Sequence, residues 1–301
     1  MNPPEHFVLT LVADPATARL STVHIAHARD ALVAAGATPG IPDWLATGIA
    51  CDLRFAGDPT AGLTAARAAL DGAAVDAFAQ PAAGRRKKLL IADMDSTIVA
   101  EETLDELAAF AGLKERIAAI TARSMNGEID FPTALRERVA MIAGLPEDAL
   151  ARTLAGIRLN AGARSLVMTM RAHGAYTALV SGGFRWFTSR IAARVGFDHD
   201  EANDLLVEDG RVTGKVAEPI LGREAKLEAL GRLAARHGAT PAEAAAVGDG
   251  ANDLPMLQAA GLGVAYRAKP VVAAAVPCRV DHGDLTALLY FQGYRQTEFR
   301  G

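Results

Sequence analysis

The sequence predicts an α/β protein built on a mainly parallel sheet, carrying a helical insertion and preceded by a smaller α+β module. Three observations predict it. Short apolar runs without helical period, Leu89-Leu90-Ile91-Ala92, Tyr176 to Val180, Ala244 to Val247 and Leu262 to Ala265, alternate with helical stretches, as in sheets covered on both faces. Directly behind the first run, residues 101 to about 155 read as almost entirely helical, with no convincing strand. Residues 1–82 have their own strand and helix alternation and end at Gln80-Pro81-Ala82-Ala83-Gly84, the best linker in the chain.

The chain of 301 residues exceeds one typical core and suits two or three domains. Half the residues are hydrophobic but only 5% are aromatic, so Ala, Val, Leu and Ile must build the cores. With 31 basic and 35 acidic residues, net charge −4, no global field favours nucleic acid or an anionic membrane. Small-molecule chemistry is the better expectation. Arg85-Arg86-Lys87-Lys88 is the one basic cluster, and without aromatic or further basic neighbours it reads as a solvated linker end. Cys51 and Cys278 stand far apart in no metal spacing, as in a reduced cytoplasm. The N-terminal stretch lacks a basic leader region, and no segment reaches the roughly 18 apolar residues of a membrane span.

In chain order, Phe7 to Ala13 reads as a strand, and Ser21 to Ala35 as a helix closed by Gly36. Ile49 to Phe55 alternates like a half-exposed strand, Ala61 to Leu70 is helical, and Val75 to Phe78 closes the module. The order, β, α, one or two strands, α, β, resembles the ferredoxin-like ligand-sensing modules called ACT domains, which implies amino-acid binding. The turn Asp14-Pro15-Ala16-Thr17 lacks the glycine of such modules, so a structural or homodimer-forming role competes with sensing.

Beyond the linker, Pro132, Gly144 and Pro146 punctuate the helical insertion, which sits behind a strand-end loop as a lid would. The alternation resumes with helix Ala163 to Ala172, strand Tyr176 to Val180 and a helix from about Phe184 to Arg194. An Asp-Gly hairpin follows at Leu205 to Gly214. Helix Glu224 to Arg236, strand Ala244 to Val247, helix Leu254 to Ala260 and strand Leu262 to Ala265 complete the pattern.

Four signals fall at the ends of these elements: Asp93-Met94-Asp95, Ser181-Gly182-Gly183, Lys226, and Gly248-Asp249-Gly250-Ala251-Asn252-Asp253. Three follow directly on expected parallel strands, so their loops converge on one sheet edge, and Lys226 opens a helix that can point there. Phosphomonoester hydrolysis needs a nucleophile, an acid for the leaving oxygen, positive charge and donors for the phosphoryl oxygens. Asp93 suits the nucleophile, giving an aspartyl-phosphate, and Asp95 the general acid and then base. Carboxylates this crowded call for Mg²⁺, with Asp93, Asp249 and the Asp95 carbonyl as ligands and Asp253 helping. Ser181, the Gly182 amide and Asn252 are donors to phosphate oxygens, and Lys226 neutralises developing charge. Each signal alone is weak, since Asp-x-Asp and Ser-Gly-Gly are common in turns. Their joint occurrence behind strands carries the reading.

These motifs resemble the four of the haloacid dehalogenase (HAD) superfamily of Mg²⁺-dependent phosphatases, over residues 88 to about 290. That resemblance implies a Rossmann-like HAD core over 83–301 with a cap at about 101–160. Asp95-Ser-Thr-x-x-x-x-Glu102-Thr-x-Asp-Glu-Leu and Phe131-x-x-x-Leu-x-x-Arg138-Val look more narrowly like the phosphoserine phosphatases. The implied activity is hydrolysis of O-phospho-L-serine, the last step of serine biosynthesis. The implied cap contacts are Glu102 to the ammonium, Arg138 to the carboxylate, and Met125 and Phe131 closing the pocket, with Arg136 a near neighbour of Arg138. Ordinary helix-surface pairs or cap core are the competing account of these four. No histidine is assigned a catalytic role. Another small phosphate ester, transfer to an alcohol such as homoserine, or a serine-responsive regulator are the alternative functions.

Overall fold

The computed structural model describes residues 6–14, 16, 19–125 and 128–301, apart from the Met125 side chain. Two expectations therefore fall partly or wholly outside the described residues: the role of Met125, and the turn at Asp14 to Thr17.

The first module runs β1 (Phe7–Ala13), α1 (Thr22–Ala34), β2 (Thr38–Ala46), β3 (Ala50–Ala56), α2 (Pro59–Ala69) and β4 (Val75–Pro81). Its antiparallel sheet has the order β2-β3-β1-β4. Ser21 caps α1 by accepting from the His24 amide, and Asp58 caps α2, so polar side chains start both helices. β2 is absent from the sequence reading as a strand because Pro39, Gly40 and Pro42 interrupt it. Proline removes ladder donors and is tolerated on an edge, where β2 lies with a shifted register.

Alternation along β1 and β3 divides their side chains between two cores. Leu9, Leu11, Leu53 and Phe55 join the helices of the module, whereas Val12 and Ala50 belong to the core of the larger domain. β3 is therefore buried on both faces instead of half-exposed. The sequence reads it as half-exposed because Asp52 is polar, and Asp52 is buried by a partner far along the chain.

That partner corrects the basic cluster. Arg85 is only 8% exposed and is no solvated linker residue. Its guanidinium donates to Asp52 at 2.6 Å, to Thr10 Oγ1 at 3.0 Å, and to the carbonyls of Phe291 and Tyr290 at 3.0 and 3.1 Å. Thr10 and Asp52 face one another across β1 and β3, so one arginine fastens the sheet face to the end of the chain.

The larger domain has a six-stranded parallel sheet, in order β12 (Cys278–Val280), β11 (Leu262–Tyr266), β10 (Ala244–Gly248), β5 (Leu89–Ala92), β6 (Tyr176–Phe184), β7 (His199–Asn203). The two outer strands escape the sequence reading: β7 is polar and β12 has three residues. Helices α7 (Ala163–Ala172), α8 (Arg185–Val195), α9 (Arg223–Arg236), α10 (Leu254–Ala259), α11 (Pro270–Ala275) and α12 (Ala287–Phe291) accompany the sheet. Leu89 and Ile91 pack with Leu230 and Leu233 of α9 on one face, Leu90 and Ala92 with the α7 and α8 core on the other.

Behind β5 the chain leaves the sheet for α3 (Thr103–Ala109), α4 (Lys114–Met125), α5 (Phe131–Met141) and α6 (Asp148–Gly156). The segments entering and leaving this cap bond to each other: Val99 bridges Leu159, and Asn160 Nδ2 donates to the Thr97 carbonyl at 2.7 Å. The hairpin β8 (Leu205–Glu208) and β9 (Arg211–Val216) docks on the cap, with the Gly144 amide donating to the Val212 carbonyl at 2.8 Å. No helix of the described residues is long and apolar enough to cross a membrane.

Candidate active site

Register places the site. Ala92, the last residue of β5, lies opposite Leu179 of β6 and Val247 of β10, so the three strands reach this level in step. The Asp93 amide extends the ladder by donating to the Val247 carbonyl at 3.0 Å. Asp93, Ser181 and Asp249 therefore emerge side by side at the carboxyl edge, where open parallel sheets hold their ligands.

The turn after Asp93 is tight. Ser96 takes a left-handed backbone, φ 56°, which disfavours a residue bearing Cβ by about 1–2 kcal/mol. Its hydroxyl donates to Glu102 at 2.7 Å, tying the turn to the start of α3. Thr97 Oγ1 donates to Asp249 at 3.4 Å.

Lys226 lies in the first turn of α9 and is 1% exposed. Its Nζ is 2.6 Å from both Asp93 Oδ1 and Asp253 Oδ1, and the two carboxylates hold the ammonium firmly charged against its burial. Asp253 accepts the Gly250 amide at 3.0 Å with its other oxygen. A Cβ on Gly248 would overlap the Asp253 side chain, so glycine is required where that carboxylate folds back.

Asp93, Asp249 and Asp253 each bring a carboxylate oxygen within 4.8 Å of the others. One buried ammonium cannot balance three carboxylates. Burial first, and Asp253 next, push the Asp93 carboxyl up to about 8, with Lys226 opposing; burial pushes Asp249 up to about 6, with Lys269 opposing. An all-oxygen cluster of this span and charge fits a small hard dication. Asp95 lies outside that carboxylate cluster. Its side chain accepts from the Thr103 amide and hydroxyl, both at 3.2 Å, and burial, then Glu102 and Asp93, raise it well above the usual carboxylate range.

A cavity of about 680 Å³ separates this edge from the cap. Asp93, Asp95, Ser181, Gly182, Asp249 and Asn252 line its floor, while Glu102, Phe131 and Arg138 line it from the cap side. A Cβ on Gly182 would sit 2.9 Å from Phe131 Cζ, so a bare backbone lets the cap aromatic reach the Ser181 loop. Ser181 Oγ accepts the Gly183 amide at 2.9 Å. Arg138 is separated from Arg136: it lines the cavity and donates to Thr121 Oγ1 at 3.1 Å, while Arg136 turns away to an exposed pair with Glu218 at 2.6 Å. No histidine lines the cavity among the described residues.

Two neighbours of the site, Asn203 and Lys269, carry no sequence signal, and the part of a third, Thr103, is not assigned there. Thr103 anchors Asp95. Asn203, at the end of β7, donates to the Gly182 carbonyl at 2.9 Å and accepts the Leu221 amide at 2.7 Å, joining the Ser181 loop to the approach of α9. Lys269, beyond β11, reaches Asp249 across the edge. Strand register brings Asn203 and Lys269 in, and the tight turn after β5 brings in Thr103 at the start of α3.

A parallel core, an inserted helical cap and an acidic centre at the sheet edge define a capped α/β enzyme with a carboxylate cluster of a span that suits a cation. The chain belongs to the haloacid dehalogenase-like hydrolase family, whose model matches residues 90–258. It is 44% identical over 199 residues to the phosphoserine phosphatase of Streptococcus thermophilus, covering 66% of this chain and 93% of that protein. Identity to the phosphoserine phosphatase of Streptomyces coelicolor is 42% over 214 residues, covering 71% of this chain; there it spans about half the relative's length, 52%. A HAD family hydrolase from Salmonella enterica serovar Typhi superposes with a TM-score of 0.82 at 28% identity, covering 95% of this chain and 98% of that one. A phospho-aspartyl intermediate analogue of phosphoserine phosphatase superposes with a TM-score of 0.65 at 36% identity, covering 68% of this chain and 99% of the other.

Proposed function

We propose that this protein is a Mg²⁺-dependent phosphoserine phosphatase that hydrolyses O-phospho-L-serine to L-serine and phosphate. The observation that carries the reading is one cavity with Asp93 and Asp249 of the carboxylate cluster on its floor and the opposite charges of Glu102 and Arg138 on its cap side. Phosphoserine offers a phosphate to the first, and an ammonium and a carboxylate to the second. The likeness to phosphoserine phosphatases at 44% and 42% identity supports the same assignment.

In this reading a carboxylate oxygen of Asp93 attacks phosphorus, and the bond to the serine oxygen breaks. Asp95 gives its proton to that oxygen as serine leaves. Its raised pKa and its placement beside Asp93 suit an acid protonated near neutral pH. Asp95 then takes a proton from the water that cleaves the aspartyl-phosphate, returning Asp93 and releasing phosphate. Ser181, the Gly182 amide, Lys226 and Asn252 hold the phosphoryl oxygens throughout. Asp93, Asp249 and Asp253, with the Asp95 carbonyl, would hold Mg²⁺, which supplies positive charge to the phosphoryl group when bound.

The test is release of phosphate from phosphoserine with and without Mg²⁺, in wild type and Asp93→Asn. Wild type should need the ion and the variant should lose at least about a thousandfold, as when a nucleophile is removed. Activity retained by Asp93→Asn would sink the mechanism. Phosphothreonine and phosphoglycolate in parallel decide the substrate.

A further inference from the structure

Lys269 stands at the floor of the cavity without a part in the scheme above. It lines the cavity, its Nζ is 3.6 Å from Asp249 Oδ2, and its side chain is 41% exposed. Its backbone is fixed, since its amide donates to the Asp249 carbonyl at 3.1 Å. An anchored main chain with a loosely held ammonium is a cation placed at the site and free to change partner.

Charge balance gives it a partner. Asp93, Asp249 and Asp253 carry three negative charges when ionised. Lys226 and a divalent ion cancel them, so a phosphoryl dianion enters a site with no net positive charge. Among the described residues Lys226 and Lys269 are the cations whose ammonium groups come within ion-pair distance of this cluster. Lys226 is held at 2.6 Å by two carboxylates, whereas Lys269 has only its long contact to Asp249. Arg138 and Arg223 also line the cavity, but neither pairs with the cluster.

We propose that Lys269 is a second phosphate-binding cation, resting on Asp249 while the site is empty and passing to the phosphoryl group, or to product phosphate, when the site fills. This rests on the phosphomonoesterase reading, and inorganic phosphate as probe keeps the two separable. Calorimetry of inorganic phosphate with Mg²⁺ present, and of Mg²⁺ alone, is made on wild type, Lys269→Gln and Lys269→Arg. In Lys269→Gln phosphate affinity should fall about tenfold, the size of one charge-assisted hydrogen bond, with the KM for phosphoserine rising in parallel. Mg²⁺ affinity should stay level or improve, because a competing cation has gone, and Lys269→Arg should recover most of the phosphate binding. Unchanged phosphate affinity in Lys269→Gln overturns the proposal. So does weaker Mg²⁺ binding, which would make Lys269 a support for its metal-site neighbour. If phosphate binding falls as expected but wild type does not turn over phosphoserine, Lys269 keeps its role and the substrate assignment fails.

Discussion

At the scale of single residues, the floor of the cavity is a set of carboxylates that the fold holds at an energetic disadvantage. Asp93 is raised to about 8 and Asp249 to about 6, both chiefly by burial. An unfolded aspartate titrates near about 3.9. As pH rises from about 4 to 8 the unfolded chain has already shed these protons while the folded chain still holds them, so each proton lost costs the folded state more. Stability that is complete below the unfolded pKa is lost as pH rises through the folded values. Protein stripped of divalent ions should therefore melt at a lower temperature at pH 8 than at pH 5, and adding Mg²⁺ at pH 8 should restore it. A melting temperature level between the two pH values, or unmoved by Mg²⁺, would contradict the role of the cluster as a cation site. Much of this floor is legible in sequence, because Asp93, Asp249 and Asp253 follow short apolar runs whose parallel pairing is the default for such a pattern. Asn203 and Lys269 are not, because a single asparagine or lysine resembles every other until strand register brings it to the edge.

Among the elements, the cap is where specificity should lie. Its helices are legible from period and from the punctuation by Pro132, Gly144 and Pro146, and the structure adds a cap to α5, where Asp130 accepts the Thr133 amide at 2.9 Å. The hairpin is legible from Asp209-Gly210, but its place is not. It leans on the end of α5 through Gly214, where a Cβ would meet Ala143, just past the helix, at 2.7 Å and Ala140 Cα at 3.4 Å, a packing contact that no local pattern announces. The result is that α5 is braced from behind by β9 while it presents Phe131 and Arg138 to the cavity. Burial lowers the Arg138 pKa, and Asp105, Glu102 and Asp95 oppose the shift, so the guanidinium remains a fixed positive charge. Arg138→Ala should lower kcat/KM for phosphoserine about a hundredfold, the roughly 2–3 kcal/mol of a charge-assisted pair. Hydrolysis of p-nitrophenyl phosphate, which has no carboxylate to read, should change little. Equal loss on both substrates would show that Arg138 supports the cap rather than reads the amino-acid end.

Over the whole molecule, the N-terminal module is joined to the larger domain by buried polar bonds as well as by a linker. Arg85 grips Asp52 from below the sheet, and Gln80 Nε2 donates to the Phe291 carbonyl at 2.6 Å. Asp76 accepts the amides of Asp281 and Gly283, both at 2.8 Å, in the loop after β12. Val12, Leu45 and Ala50 share a core with Leu289 and Phe291, so the apolar burial is continuous as well. None of this shows in the sequence, because Asp52 and Arg85 are ordinary charges until a separate domain covers them. An isolated ion pair at this depth adds little net stability, yet removing one member leaves the other charged and dry, at a cost of about 3–5 kcal/mol. Asp52→Ala should therefore lose about that much in denaturant unfolding, far more than a substitution on an exposed strand. Arg85→Met in the same background should return part of it, because the orphaned charge is gone, and the double variant should be more stable than Asp52→Ala alone. A loss below about 1 kcal/mol for Asp52→Ala, the worth of an exposed pair, would mean that water reaches this pair and that it does not fasten the two parts.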